Sequence, residues 1–130
     1  MIERRSRRIL AAAMLAALVI PMARARGAAD EGAASTKTFD ITASKFRFEP
    51  ETLEVEEGDR VTLTLRSTDV THGIALKPFK VKAAIPKGGQ PVTVEFVAQK
   101  AGTFEFRCSE YCGPRHSGMR GRLVVRPRVQ

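Results

Sequence analysis

The chain has 130 residues, 43% of them hydrophobic and 28% charged, with a formal net charge of +8. That length holds one domain, and the balance of apolar and charged residues excludes a disordered chain or a multidomain protein. Much of the basicity sits in the first residues. "MIERRSRR" is a basic head, followed by the apolar run Ile9 to Ile20 and the small-residue stretch "PMARARGAAD", which is the layout of a secretory signal.

The apolar run has 12 residues, short of the roughly 20 that cross a bilayer. We therefore expect a signal peptide over residues 1–25, cleaved after Ala25, and "SRRIL" matches the twin-arginine type. Its removal takes five basic residues and one acidic residue, leaves 17 and 13, and lowers the net charge to +4. The charge then gives no support for nucleic acid binding. Export places the protein in the periplasm or on the outer face of the cytoplasmic membrane.

Residues 26–37, "RGAADEGAASTK", are small and polar and read as a linker. From residue 38 to 130 the pattern is that of short strands separated by turn residues. "TFDITAS" alternates, "LEVEEGDRVTLTL" reads as two strands joined near Glu57-Gly58, "PVTVEFVA" alternates, and "TFEFRC" and "RLVV" close the chain. Val61, Leu63 and Leu65 share one face, as do Val92, Val94 and Phe96, because side chains two apart point the same way. Six to eight short strands in this length predict an all-β, two-sheet Greek-key sandwich.

The chemistry concentrates in "CSEYCGPRHSGM", residues 108 to 119. Both cysteines of the chain, its last methionine, Met119, and one of its two histidines, His116, lie there. In an exported protein the plain alternative is a Cys108–Cys112 disulfide. That bridge would close a very small ring, where the chain-entropy benefit is least, and would leave His116 and Met119 without a role. A thiolate, imidazole and thioether set is soft and favours copper over magnesium, calcium or zinc. The second histidine, His72 in "DVTHGIAL", completes a set with one imidazole for each thiolate. A mononuclear blue copper site needs only one cysteine. Two thiolates four residues apart could each bridge a pair of coppers, with one histidine terminal on each, which makes the expected site binuclear.

These residues resemble the binuclear copper A (CuA) loop of cytochrome c oxidase subunit II. The Cys-x3-Cys-x3-His-x2-Met spacing is intact, "DVTHG" resembles the upstream histidine segment, and the likeness runs from about Phe46 to Val125. The resemblance implies a cupredoxin-like sandwich in which Cys108 and Cys112 bridge two copper ions. His72 and His116 are then the terminal imidazoles, Met119 is the weak axial ligand of one copper, and the main-chain carbonyl of Glu110 is that of the other. In oxidases of the family the Glu110 side chain would help hold a magnesium ion against the catalytic subunit. The implied partners are a redox donor such as a c-type cytochrome and the membrane catalytic subunit of a haem–copper oxidase. The chain has no tryptophan, which that family uses to receive electrons, and Tyr111 and Phe79 are the nearest aromatic substitutes.

Three functions are open at this point: the electron-accepting subunit of an oxidase, a free periplasmic electron carrier with the same site, and a copper storage or delivery protein. Hydrolytic chemistry has no support, because every histidine and cysteine is committed to the metal set. Arg107, Arg115, Arg120 and Arg122 lie in or beside the loop with Glu110 as its only acid. The surface there should be positive and favour partners with an acidic or largely apolar patch; the plain alternative is that these arginines are solvated or pair with Glu105 and Glu95 on nearby strands.

Overall fold

The computed structural model describes residues 34–129. The expected signal peptide and residues 26–33 of the expected linker lie outside the described residues. The strands are β1 (Thr36–Ser44), β2 (Arg47–Glu49), β3 (Thr52–Glu56), β4 (Arg60–Ser67), β5 (His72–Leu76), β6 (Val81–Ile85), β7 (Val92–Val97), β8 (Gly102–Arg107) and β9 (Arg120–Arg126). They form a four-stranded sheet in the order β2-β1-β4-β7 and a five-stranded sheet in the order β3-β9-β8-β5-β6. β1 runs parallel to β4 and β3 parallel to β9, and the other pairings are antiparallel. The chain is all-β, as its alternating segments require.

The core lies between the sheets. Ile41 and Ala43 of β1, Val61, Leu63 and Leu65 of β4, and Leu123 and Val125 of β9 alternate inward from exposed or half-exposed neighbours, and Ile74 and Leu76 of β5 join them from a strand buried along most of its length. Each large side chain so buried contributes about 1.5–3 kcal/mol. Phe48 meets Phe106 edge to face across the core, with ring centroids 5.2 Å apart.

Three details differ from the sequence expectation. β2, β5 and β6 are not among the six segments read as strands from their alternation, because β2 is three residues long, "HGIAL" in β5 opens on a histidine and a glycine, and "VKAAI" in β6 does not alternate. Val92 and Val94 are only half-buried while Phe96 is buried, because β7 is the edge of its sheet. β1 begins at Thr36, two residues before the expected boundary at 38. Asp59 accounts for this early start. Its buried carboxylate accepts the Ser35 N–H at 3.0 Å and the Glu56 N–H at 2.9 Å, and Arg128 from the tail after β9 joins it. Burial opposes the ionised form of Asp59, but these donors outweigh it and hold the carboxyl below its usual range.

Candidate metal centre

The segment from 108 to 119 is the β8–β9 connection. Its ends are tied together, since the Cys108 N–H donates to the Met119 carbonyl at 3.1 Å. A 3-10 turn over His116–Gly118 tightens its second half, with the Met119 N–H on the His116 carbonyl at 3.1 Å. Gly113, at φ +140°, supplies the backbone conformation that reverses the chain after Cys112. β5 and β8 are in register only at Ala75↔Arg107. Beyond that pair His72 and Cys108 meet through side chains.

The structure gathers the donors around the two sulfurs. Cys108 Sγ and Cys112 Sγ are 3.7 Å apart, beyond the roughly 2.05 Å of a disulfide, and both cysteines are free. Cys108 Sγ lies 3.9 Å from His72 Nδ1 and 3.1 Å from the Glu110 carbonyl oxygen. Cys112 Sγ lies 3.6 Å from His116 Nδ1 and 3.8 Å from Met119 Sδ. Each sulfur thus has one imidazole and one weak donor of its own. His72, Cys108, Cys112 and Met119 are buried and His116 is half-buried. The ligand atoms of His72, Cys108 and Cys112 all fall within 4.8 Å of one another, close enough to share an ion. Burial, reinforced by the neighbouring Cys108, pushes the Cys112 thiol up to about 11. A metal binding there must therefore displace a proton.

Two residues that sequence reasoning passed over shape the His72 side. Asp69 Oδ1 lies 2.7 Å from His72 Nε2, and the carboxylate also accepts the backbone N–H groups of Lys45 and Val70. This arrangement leaves Nδ1 directed at Cys108. Burial works against the Asp69 carboxylate, but these hydrogen bonds hold it below its usual range. Gly73 lets the loop approach β5, because a Cβ there would stand 2.2 Å from Ser109 Oγ and 3.0 Å from the Glu110 N. The Ser109 hydroxyl packed over it is buried without a hydrogen-bond partner among the described residues. The "DVTHG" stretch held both signals, an acid three residues before the histidine and a glycine directly after it.

The remaining expected residues divide. The Glu110 side chain is exposed, so its part in the cluster is its carbonyl. Tyr111 is 76% exposed, with its ring centroid 5.7 Å from that of His116. Phe79 packs between Phe96 and Phe104, which makes it a core contact. Among the arginines, Arg107 and Arg120 both engage Glu105, whose single charge offsets one of the four positive charges expected there.

A Greek-key sandwich with a sulfur and imidazole cluster on its end loop defines the class of small β-sandwich copper proteins. The chain belongs to the cupredoxin-like domain family, whose model matches residues 9–125. It is 28% identical over 89 residues to cytochrome c oxidase subunit 2 of Thermus thermophilus, covering 68% of this chain and 65% of that protein. It is 33% identical over 92 residues to nitrous-oxide reductase of Cupriavidus necator, covering 68% of this chain and 14% of that one. The periplasmic domain of subunit II of cytochrome oxidase (CoxB) of Bradyrhizobium japonicum superposes with a TM-score of 0.60 at 23% identity, over 68% of this chain and 82% of that domain. The sandwich is shared with that domain. The chain thus spans under two thirds of the length of the curated relatives named. Among its described residues no helix is long and apolar enough to cross a membrane.

Proposed function

We propose that the chain is a single-electron carrier holding a binuclear copper centre. Cys108 and Cys112 are the bridging thiolates, His72 and His116 the terminal imidazoles, and Met119 and the Glu110 carbonyl the weak donors. The observation that carries this reading is the pairing around the two sulfurs, 3.7 Å apart, with one imidazole and one weak donor beside each. A single zinc would leave the thioether and the carbonyl unused, and a mononuclear blue site would leave a buried thiol unused. The donor set fits two soft ions.

Cys108 and Cys112 would hold a copper pair between them, and that pair would supply one-electron chemistry with the charge change spread over two metals, so that little would have to rearrange on reduction. The chain supplies rigidity around it. Asp69 orients His72, the Cys108 N–H to Met119 carbonyl bond closes the loop, and the sandwich beneath keeps water from the sulfurs. The likeness to oxidase subunits supports a domain outside the cytoplasmic membrane, and on this reading it takes electrons from a donor such as a c-type cytochrome and passes them to a terminal oxidase. Residues 1–25 are then the export signal, and the copper domain begins with β1 at Thr36, two residues before the expected boundary at 38. Copper titration of the folded chain with elemental analysis tests the proposal: two ions per chain support it, and one ion or none overturns it. Release of copper on reduction would favour the storage and delivery reading instead.

A further inference from the structure

The outer face of the five-stranded sheet changes character along its width. On β3 the acids are matched, Glu54 by Arg126 at 2.7 Å and Glu56 by Arg128 at 3.1 Å. At the opposite side the β5–β6 hairpin carries Lys77, Lys80 and Lys82, all exposed, and none makes an ion pair with a described residue. These three lysines and Arg107 line one cavity of about 500 Å³ with Ala75, Val81, Cys108 and Ser109. The acids bordering this face are Glu105, engaged by Arg107 and Arg120, and Glu110, beside Gly73.

We infer that this lysine-rimmed face is the docking surface for an acidic electron-donating protein. Such a partner fits for two physical reasons. Unpaired cations around a concavity create a local potential that raises the encounter rate with a negative surface and repels a basic one. The same cavity is lined by Cys108, so a partner seated in it lies against a residue that the proposed copper centre uses as a ligand, where the path for an electron is short. The positive surface foreseen from the loop arginines is thus carried mainly by lysines of a different element. This inference rests on the electron-transfer reading above and specifies its partner.

The test compares two charge reversals of equal size in the full chain. Lys77→Glu with Lys82→Glu alters the docking face, and Lys37→Glu with Arg60→Glu alters the other sheet. Lys80 is left in place because its φ of +56° makes it a turn residue. An acidic c-type cytochrome is the probe, used in two arms: calorimetric binding to the metal-free chain, and the bimolecular rate of reduction of the copper-loaded chain. At low ionic strength the docking-face variant should bind and react about 10-fold more weakly, with a shallower salt dependence, while the control pair stays within about 2-fold of the parent. Equal losses in both pairs, no loss in either, or tighter binding of a basic cytochrome would overturn the inference. Because the binding arm needs no copper, a chain that failed to take up two ions would defeat the electron-transfer reading without deciding the docking face.

Discussion

Asp69 grips the far nitrogen of His72: its Oδ1 lies 2.7 Å from Nε2, while Nδ1 of the same buried ring faces Cys108 Sγ at 3.9 Å. The acid therefore selects which nitrogen is free for a metal. Asp69→Ala should weaken copper binding about 10- to 100-fold in competition with a chelator. Asp69→Asn should lose less, because an amide oxygen still accepts the Nε2–H. Equal losses in the two variants, matched by equal losses in melting temperature of the metal-free chain, would assign Asp69 to folding alone.

Gly73 sets how close the loop comes to β5. In Gly73→Ala the new methyl would lie 2.2 Å from Ser109 Oγ and 2.9 Å from Glu110 Cγ, so the stretch from Ser109 to Glu110 must move. We expect a stability cost of about 1–3 kcal/mol together with a changed copper absorption spectrum, because the Glu110 carbonyl moves relative to Cys108. An unchanged spectrum would show that the close approach has no part in the site.

Cys112 and Met119 should separate sharply on mutation. Cys112→Ser removes a shared sulfur, and the binuclear spectrum should disappear, leaving at most one copper. Met119 is fully buried, and Met119→Leu nearly conserves volume, at under about 1.5 kcal/mol. It removes only a weak donor and should keep two coppers. With less electron donation to the oxidised form, the reduction potential should rise. The same copper loss in both variants, measured by elemental analysis, would contradict these roles.

The sequence was most legible where period alone decides. Val61, Leu63 and Leu65 alternate with polar neighbours, and β4 followed from them. β6, β5 and β2 escaped, because Ala83 and Ala84 interrupt the alternation in the first, the second opens on His72 and Gly73, and the third is too short to show any. The spacing of Cys108, Cys112, His116 and Met119 marked the loop, since a short connection brings its own donors together. What joins that loop to the rest depends on which strands become neighbours. The contact of Gly73 with Ser109 and the free lysines around Cys108 arise from the β5–β8 register and from the β5–β6 hairpin, which no local pattern encodes. Glu105's hold on Arg120 depends on the pairing of β8 with β9, whereas Arg107 lies two residues along the same strand and that contact is local.

Acid should loosen the sandwich at Asp59. Its folded carboxyl lies below the ordinary aspartate value, so its contribution to stability is fully present above that ordinary value and is lost as pH falls through the depressed folded one. Asp59→Asn should destabilise the metal-free chain at neutral pH by about 1–3 kcal/mol, because the Ser35 and Glu56 N–H groups and Arg128 lose a charged acceptor, while Arg128 keeps Glu56. It should also flatten the fall in melting temperature below about pH 4. A variant that keeps the parent's acid profile would place that sensitivity elsewhere.

The central claim is that one unpaired electron is shared between two coppers held by Cys108 and Cys112. Electron paramagnetic resonance of the oxidised, copper-loaded chain tests it most directly. The account predicts a hyperfine pattern from two equivalent copper nuclei, with copper and protein quantified in the same sample. A pattern from a single copper nucleus, or a copper-free chain with Cys108 and Cys112 oxidised to a disulfide, would contradict it.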